Sequence, residues 1–242
     1  MNCVILQPSY IPWRGYFDQI NRADLFIFYD DVQYDKHGWR NRNRIKNHQG
    51  GQWLTIPVHS TGVVTENIPI HRVEIAWEQP WNERHWRALQ QAYAKAPYFK
   101  QAASWLEEVY SRRPTLLADF TIPLTIEIAR KLGIGHTRFI RSSALEVGGQ
   151  KTERLIDILS QVDATHYISG PSAKSYIEEE KFKTAGITLE YMEYNYPEYS
   201  QLYPPYDPFV SILDLLFMTG PEAPNYFKFF GNPVVSSPIW GS

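Results

Sequence analysis

Four short stretches of the chain carry side chains able to do chemistry. Gln7-Pro8-Ser9-Tyr10-Ile11-Pro12-Trp13-Arg14-Gly15-Tyr16 follows a short apolar run and offers hydrogen-bonding and stacking groups on a stretch stiffened by two prolines. Asp30-Asp31-Val32-Gln33 follows a second apolar run. Adjacent carboxylates there can bind Mg²⁺, hold a ribose hydroxyl or act as general base. Successive residues of an extended chain point opposite ways, so at most one of the pair need face a ligand. Trp39-Arg40-Asn41-Arg42-Asn43-Arg44 alternates basic and polar residues, which as a strand puts three guanidinium groups on one face, suited to a diphosphate. Ser169-Gly170-Pro171-Ser172-Ala173-Lys174-Ser175 has the glycine, hydroxyls and cation of an anion site at a helix start, without Walker-loop spacing.

Each stretch also has a plainer reading. The first can be a rigid turn sealing a helix against a sheet, and aspartates bond to their own backbone in loops. An arginine-rich strand can be a solvated edge, and Ser172 can simply cap its helix. His85 falls in an amphipathic helix and reads as a core-edge histidine; Cys3 falls inside the first strand and reads as buried and inert.

The elements that must position these groups follow from periodicity. Cys3 to Leu6 and Leu25 to Phe28 are short apolar runs flanking a helical pattern from Trp13 to Arg22, a β-α-β unit with parallel strands. Residues 39 to 58 resemble a hairpin around Asn47-His48-Gln49-Gly50-Gly51, with Trp53 to Val58 as its second arm. Residues 59–71 read as an exposed loop. Three helices follow within 81–133, where Pro123 should kink its helix or start a new one and Gly133 should stop it. Strand and helix then alternate: Thr137 to Ile140, a helix through Leu155 and Leu159, His166 to Ser169, a helix from Ser172 to Ala185, and Thr188 to Met192. The expected fold is one α/β domain over residues 1–242: a mainly parallel, Rossmann-like sheet, with a helical insertion or cap at 81–133 and an irregular tail at 221–242. In such sheets ligands sit beyond the C-terminal strand ends, where three of the four stretches fall.

Composition narrows the function. With 24 basic and 26 acidic side chains and a net charge of -2, general capture of nucleic acid is unfavourable, so an anion site must be local. Aromatic residues reach 15%, including 8 Trp and 16 Tyr, enough for some rings to line a pocket. A single cysteine excludes an internal disulfide and multi-Cys metal sites, which fits a reducing compartment. The seven histidines do not cluster at metal spacing, so no metal ligands are assigned. No apolar run approaches the roughly 20 residues of a membrane span, and no signal-peptide pattern opens the chain, so a cytoplasmic location is expected.

Gln7-Pro8-x-Tyr10-x-Pro12-x-x-Gly15-Tyr16-Phe17, Asp30-Asp31-x-Gln33, Trp39-x-Asn41-Arg42, Leu54-Thr55-x-Pro57-Val58, His85 and Tyr167-x-Ser169-Gly170 together resemble the WbqC-like family. The resemblance implies a setting among enzymes of O-antigen and related surface sugars. It raises Gln7, Tyr10, Asp30, Asp31, Asn41, Arg42, His85 and Ser169 as site candidates. A looser similarity to nucleotidyltransferase-like folds lacks their His-x-Gly-His signature, since Trp13-Arg14-Gly15-Tyr16 stands in its place.

The expected function is a transferase adding an acyl or aminoacyl group to the amine of a nucleotide-linked sugar. Asp30, Asp31 or His85 would take the proton. Gln7, Tyr10, Trp13, Gln33, Trp39, Arg40, Asn41, Arg42, Ser169, Ser172 and Lys174 would bind substrate, with Mg²⁺ or a nucleotide-containing donor as open cofactors. The rival is a non-catalytic module that binds pathway enzymes or a carrier protein.

Overall fold

The computed structural model of the chain describes residues 1–59 and 67–227. β1 (Asn2–Leu6), α1 (Arg14–Arg22) and β2 (Leu25–Phe28) form the expected β-α-β unit, with Val4 beside Phe26 in parallel register. β3 (Arg42–Asn47) and β4 (Gly50–Thr55) form a separate antiparallel hairpin. Its second arm begins three residues earlier than expected. The Asn47 side chain accepts the Gln49 N–H at 2.8 Å and Gly50 takes φ +109°, so the turn closes before Gly50 instead of around it.

α2 (Trp81–Tyr93), α3 (Phe99–Ser111) and α4 (Leu117–Lys131) come next. Pro123 neither ends α4 nor begins a new helix; the helix runs through it. Gly133, at φ +79°, stops the chain beyond α4: its N–H reaches the Arg130 carbonyl, and the Ile134 N–H reaches that of Ala129. β5 (Arg138–Arg141), α5 (Lys151–Gln161), β6 (His166–Ser169), α6 (Glu179–Thr184), β7 (Thr188–Tyr191) and α7 (Ile212–Thr219) complete the elements.

The main sheet has the order β5-β2-β1-β6-β7 with every pair parallel, so the strands run third-second-first-fourth-fifth in chain order. This is the Rossmann-like arrangement, with its switch point between β1 and β6. Period-2 alternation gives each sheet face its own core. Val4, Phe26 and Phe28 point into a cluster with residues of α1, α2, α3, α4 and α7, whereas Cys3, Ile5, Leu25 and Ile27 meet Leu155, Ile158 and Phe182 of α5 and α6. Cys3 is buried, and burial pushes its thiol up to about 12.

Three further expectations change. The helix expected over 172–185 breaks into a 3₁₀ run at Pro171–Ser175 and α6, so Ser172 caps nothing. Ile70, placed in an exposed loop, is buried at the start of a 3₁₀ turn (Ile70–Arg72); residues 60–66 of that loop lie outside the described residues. In the tail, Gly220–Tyr226 is a 3₁₀ run with Ala223 buried, while 228–242 lie outside the described residues.

Candidate functional site

A cavity of about 680 Å³ opens at the switch point, walled by the end of β1 and the residues after it (Ile5, Leu6, Gln7), by Tyr29 after β2 and by Gly170 and Pro171 after β6. α1 contributes Tyr16 and Gln19, and α5 contributes Lys151 and Leu155.

The Gln7–Trp13 loop is built to hold one shape. Ile11, β-branched and buried, sits at φ +37°, where a branched side chain is strained. The Asn43 amide clamps it, donating to the Tyr10 and Ile11 carbonyls at 3.2 and 2.9 Å, while the Ile212 N–H takes the Pro12 carbonyl at 2.8 Å. Tyr16 Oη donates to the Gln7 carbonyl at 3.1 Å. Trp13 meets Tyr194 edge-on, with centroids 4.8 Å apart, and Gln19 Nε2 donates to Tyr194 Oη at 2.9 Å. Gln19 Oε1 is sheltered from solvent with no protein hydrogen-bond partner.

Gly15 makes this wall possible. A Cβ there would lie 2.4 Å from the Trp13 ring, so the glycine in the Pro12-x-x-Gly15 motif is space for the indole. Gly15→Ala is therefore expected to turn Trp13 out of the cavity wall and cost about 1–3 kcal/mol through overpacking. A matched pair of thermal unfolding and tryptophan-fluorescence measurements would show it; an unchanged emission spectrum would sink it.

The charge balance of the cavity is one-sided. Among the described residues its lining holds Arg40 and Lys151 and no carboxylate. Arg40 Nη1 donates to Gln7 Oε1 at 2.7 Å, its Nε is sheltered without a partner, and no carboxylate ion-pairs with it among the described residues. Burial works against its charge and lowers its pKa, while the Asp35 carboxylate, outside ion-pair distance, acts in the other direction. Burial also raises the phenols of Tyr16, Tyr29, Tyr167, Tyr176 and Tyr194, the last to about 12, so near neutral pH they are hydrogen-bond donors and not bases.

Of the residues expected from sequence, Gln7, Trp13, Trp39, Arg40 and Ser172 line this cavity. The three arginines do not act together. Arg40 precedes β3; Arg42 donates to the His37 carbonyl at 2.6 Å and lies 4.8 Å from the Trp53 ring; Arg44 lies 3.8 Å from Asp207. Asn41 is buried, with Nδ2 on the Ile56 carbonyl, and Gln33 is exposed. Ser169 is buried beneath the lining, and exposed Lys174 lies 4.9 Å from the Tyr191 ring.

Asp30 and Asp31 fasten the ends of β2 and β5 and do not line the cavity. Fully buried Asp30 accepts from the Ser143 N–H and hydroxyl at 3.0 and 3.1 Å, with Arg141 Nε at 3.6 Å. Asp31 accepts from Ser142 Oγ at 2.6 Å and pairs with Arg154. With two guanidinium groups already on this pair, the site is a poor fit for Mg²⁺. Among the described residues no group of three or more His, Cys, Asp or Glu is placed to hold a metal.

Tyr10 and His85 lie in the core as well. Tyr10 Oη is 2.9 Å from His85 Nδ1 and 2.5 Å from Tyr110 Oη, with Trp81 edge-on to the imidazole. Burial pulls the His85 pKa down to about 4. Since an unfolded histidine titrates near 6.5, the native state binds fewer protons between these values. Stability should thus be full above pH 6.5 and fall by up to roughly 3 kcal/mol as the pH drops through 4. Urea melts at several pH values should show this slope in the parent and lose it in His85→Gln.

Gln19, Tyr29, Lys151 and Tyr194 also line the cavity without having been singled out from sequence, and Tyr16 and Asn43 line it from within the quoted motifs, where neither was assigned a role. Tyr16 and Gln19 share a helical face one turn apart, Tyr29 precedes Asp30 at a strand end, and Lys151 follows Gly148-Gly149 at a helix start; those signals were legible. Tyr194 comes from irregular chain after β7 and had none.

Fold and cavity together define an α/β protein of Rossmann-like type with an aromatic cavity at its switch point, lined by no carboxylate among the described residues. The chain belongs to the WbqC-like protein family, whose model matches residues 7–226. It is 44% identical over 227 residues to the uncharacterized protein Rv1507c of Mycobacterium tuberculosis, covering 93% of this chain and 96% of that protein. No solved structure matches the chain. Among the described residues no helix is long and apolar enough to cross a membrane.

Proposed function

We propose that the cavity binds a nucleotide-linked amino sugar and that the chain is a transferase of surface-polysaccharide sugar biosynthesis, adding an acyl or aminoacyl group to the sugar amine. Membership of the WbqC-like family supports the polysaccharide setting. The observation that carries the ligand class is Arg40, a cation with no ion-pairing carboxylate and no acid beside it in the cavity lining among the described residues, set among rings able to stack on a base or a sugar.

In this reaction the amine nitrogen bonds to the acyl carbon, the donor's bond to that carbon breaks, and the amine gives up a proton. Among the described residues neither carboxylate nor imidazole lines the cavity, so the donor's leaving group is the proton acceptor this reading requires. The aspartates and His85, with their oxygens and nitrogens held by protein partners, serve the frame instead.

A titration of the purified chain with nucleotide-linked amino sugars, the matching nucleosides and the free amino sugars tests the ligand class. Binding should require the phosphates, and ligand near a hundred times its Kd should stabilise the fold by about 2.7 kcal/mol. Equal binding of nucleoside and nucleotide would overturn the anion reading.

A further inference from the structure

Four large hydrophobic side chains are prominently exposed among the described residues: Trp39 and Trp53 at 46%, Phe209 at 61% and Tyr176 at 62%. Trp39, Phe209 and Tyr176 also line the cavity, and Trp53 packs on Trp39 with ring centroids 5.4 Å apart and planes 32° apart. A side chain that is both exposed and cavity-lining stands where the cavity opens. These residues come from the segment before β3, from β4, from the turn after β6 and from the segment before α7. The fold has therefore gathered its exposed rings at one mouth, although scattered single hydrophobics are the ordinary condition of a surface.

The rim is anchored. The Trp39 carbonyl accepts the Tyr10 N–H at 3.2 Å, Trp53 is paired with Arg44 in the hairpin, and the Phe209 N–H donates to Asp207 at 2.9 Å. The Ser211 N–H takes the Arg44 carbonyl at 2.8 Å, tying the Phe209 segment to the same hairpin. Rings held in place present a face to a ligand at little entropic cost.

From this we infer that the cavity mouth is a second subsite, for a neutral saccharide: an acceptor or extending glycan laid across the Trp39–Trp53 pair, with Phe209 and Tyr176 bordering it. The occupant rests on the proposed function, since the cavity below it then holds a sugar nucleotide. The rim chemistry favours it independently. All four exposed groups are flat rings, and three have a polar tip, suited to the C–H face and hydroxyls of a pyranose. A lipid surface or a second protein copy would be expected to meet aliphatic side chains too. The Arg42 guanidinium, 4.8 Å from the Trp53 ring, adds donors beside that face.

The full chain is titrated with neutral oligosaccharides of hexose and N-acetylhexosamine units and, separately, with sugar nucleotides, following calorimetry and tryptophan fluorescence. Trp53→Ala should weaken glycan binding roughly tenfold and affect the sugar nucleotide much less, because Trp53 does not line the cavity. Phe209→Ala, in a loop, should also weaken glycan binding and tests the rim should the hairpin variant fold poorly; because Phe209 lines the cavity as well, its selectivity is read against Arg40→Ala. Arg40→Ala should give the opposite selectivity. Sugar-nucleotide binding without glycan binding would overturn the rim subsite and leave the proposed function standing. Glycan binding that depends on the rim, without sugar-nucleotide binding, would do the reverse. Binding to anionic phospholipid vesicles or concentration-dependent dimerisation, lost in the rim variants while glycan binding is absent, would assign the rim to a membrane or a second copy and overturn the inference.

Discussion

Arg40→Ala is expected to weaken binding of a phosphate-bearing ligand on the order of a hundredfold, while leaving the fold as stable as the parent or more so. The two halves of this result have one cause. Arg40 donates to Gln7 Oε1 but ion-pairs with no carboxylate among the described residues, and its Nε is shut away from solvent without a partner. Such a cation costs desolvation that the fold does not recover until an anion arrives, so removing it relieves the native state and disables the site. Arg40→Lys should restore part of the affinity: it keeps the charge and gives up the planar fork that grips two oxygens at once. Calorimetric titration and thermal unfolding of the three proteins decide the matter. A variant that loses stability and keeps affinity would make Arg40 a structural residue and withdraw the main support for an anion in the cavity.

Asp30→Ala should show the opposite profile, a loss of about 3 kcal/mol in stability with ligand affinity unchanged in the protein that remains folded. The carboxylate is fully buried, and its loss strands the Ser143 N–H and hydroxyl at the turn that follows β5. Arg141 is about one-third exposed and can turn to water, which limits the cost. Asp30→Asn retains one acceptor oxygen and should cost less. Denaturant melts give the stability, and affinity measured on the folded fraction separates a frame residue from a catalytic one: a fully stable Asp30→Asn protein without activity would return this aspartate to the reaction.

Much of the frame was legible from pattern. Short apolar runs alternating with amphipathic helices predict a parallel sheet, because such strands are buried on both faces and need crossover helices to return. Gln7, Trp13 and Ser172 were legible as residues that could face a cavity because they follow closely on a strand end, and Trp39 and Arg40 because they stand in a basic and aromatic motif. The aspartate pair shows where that logic stops. The same position that suits a catalytic carboxylate also suits a tie between neighbouring strands, and only the partners, Ser142, Ser143, Arg141 and Arg154, tell them apart. Those partners lie more than a hundred residues away in the chain.

The sequence by itself determined the class of fold, the place on the sheet where a ligand can sit and the family to which the chain belongs, because these depend on local periodicity and short contiguous motifs. Tertiary structure alone decided the division of labour. It left Arg40 without an ion-pairing carboxylate among the described residues, tied Asp30 and Asp31 to Ser142, Ser143, Arg141 and Arg154, drew Tyr10 and His85 into the core, brought Tyr194 and Lys151 to the same cavity and gathered four exposed rings at its mouth. Burial and pairing are properties of the space around a side chain, and that space is built by elements far apart in the chain.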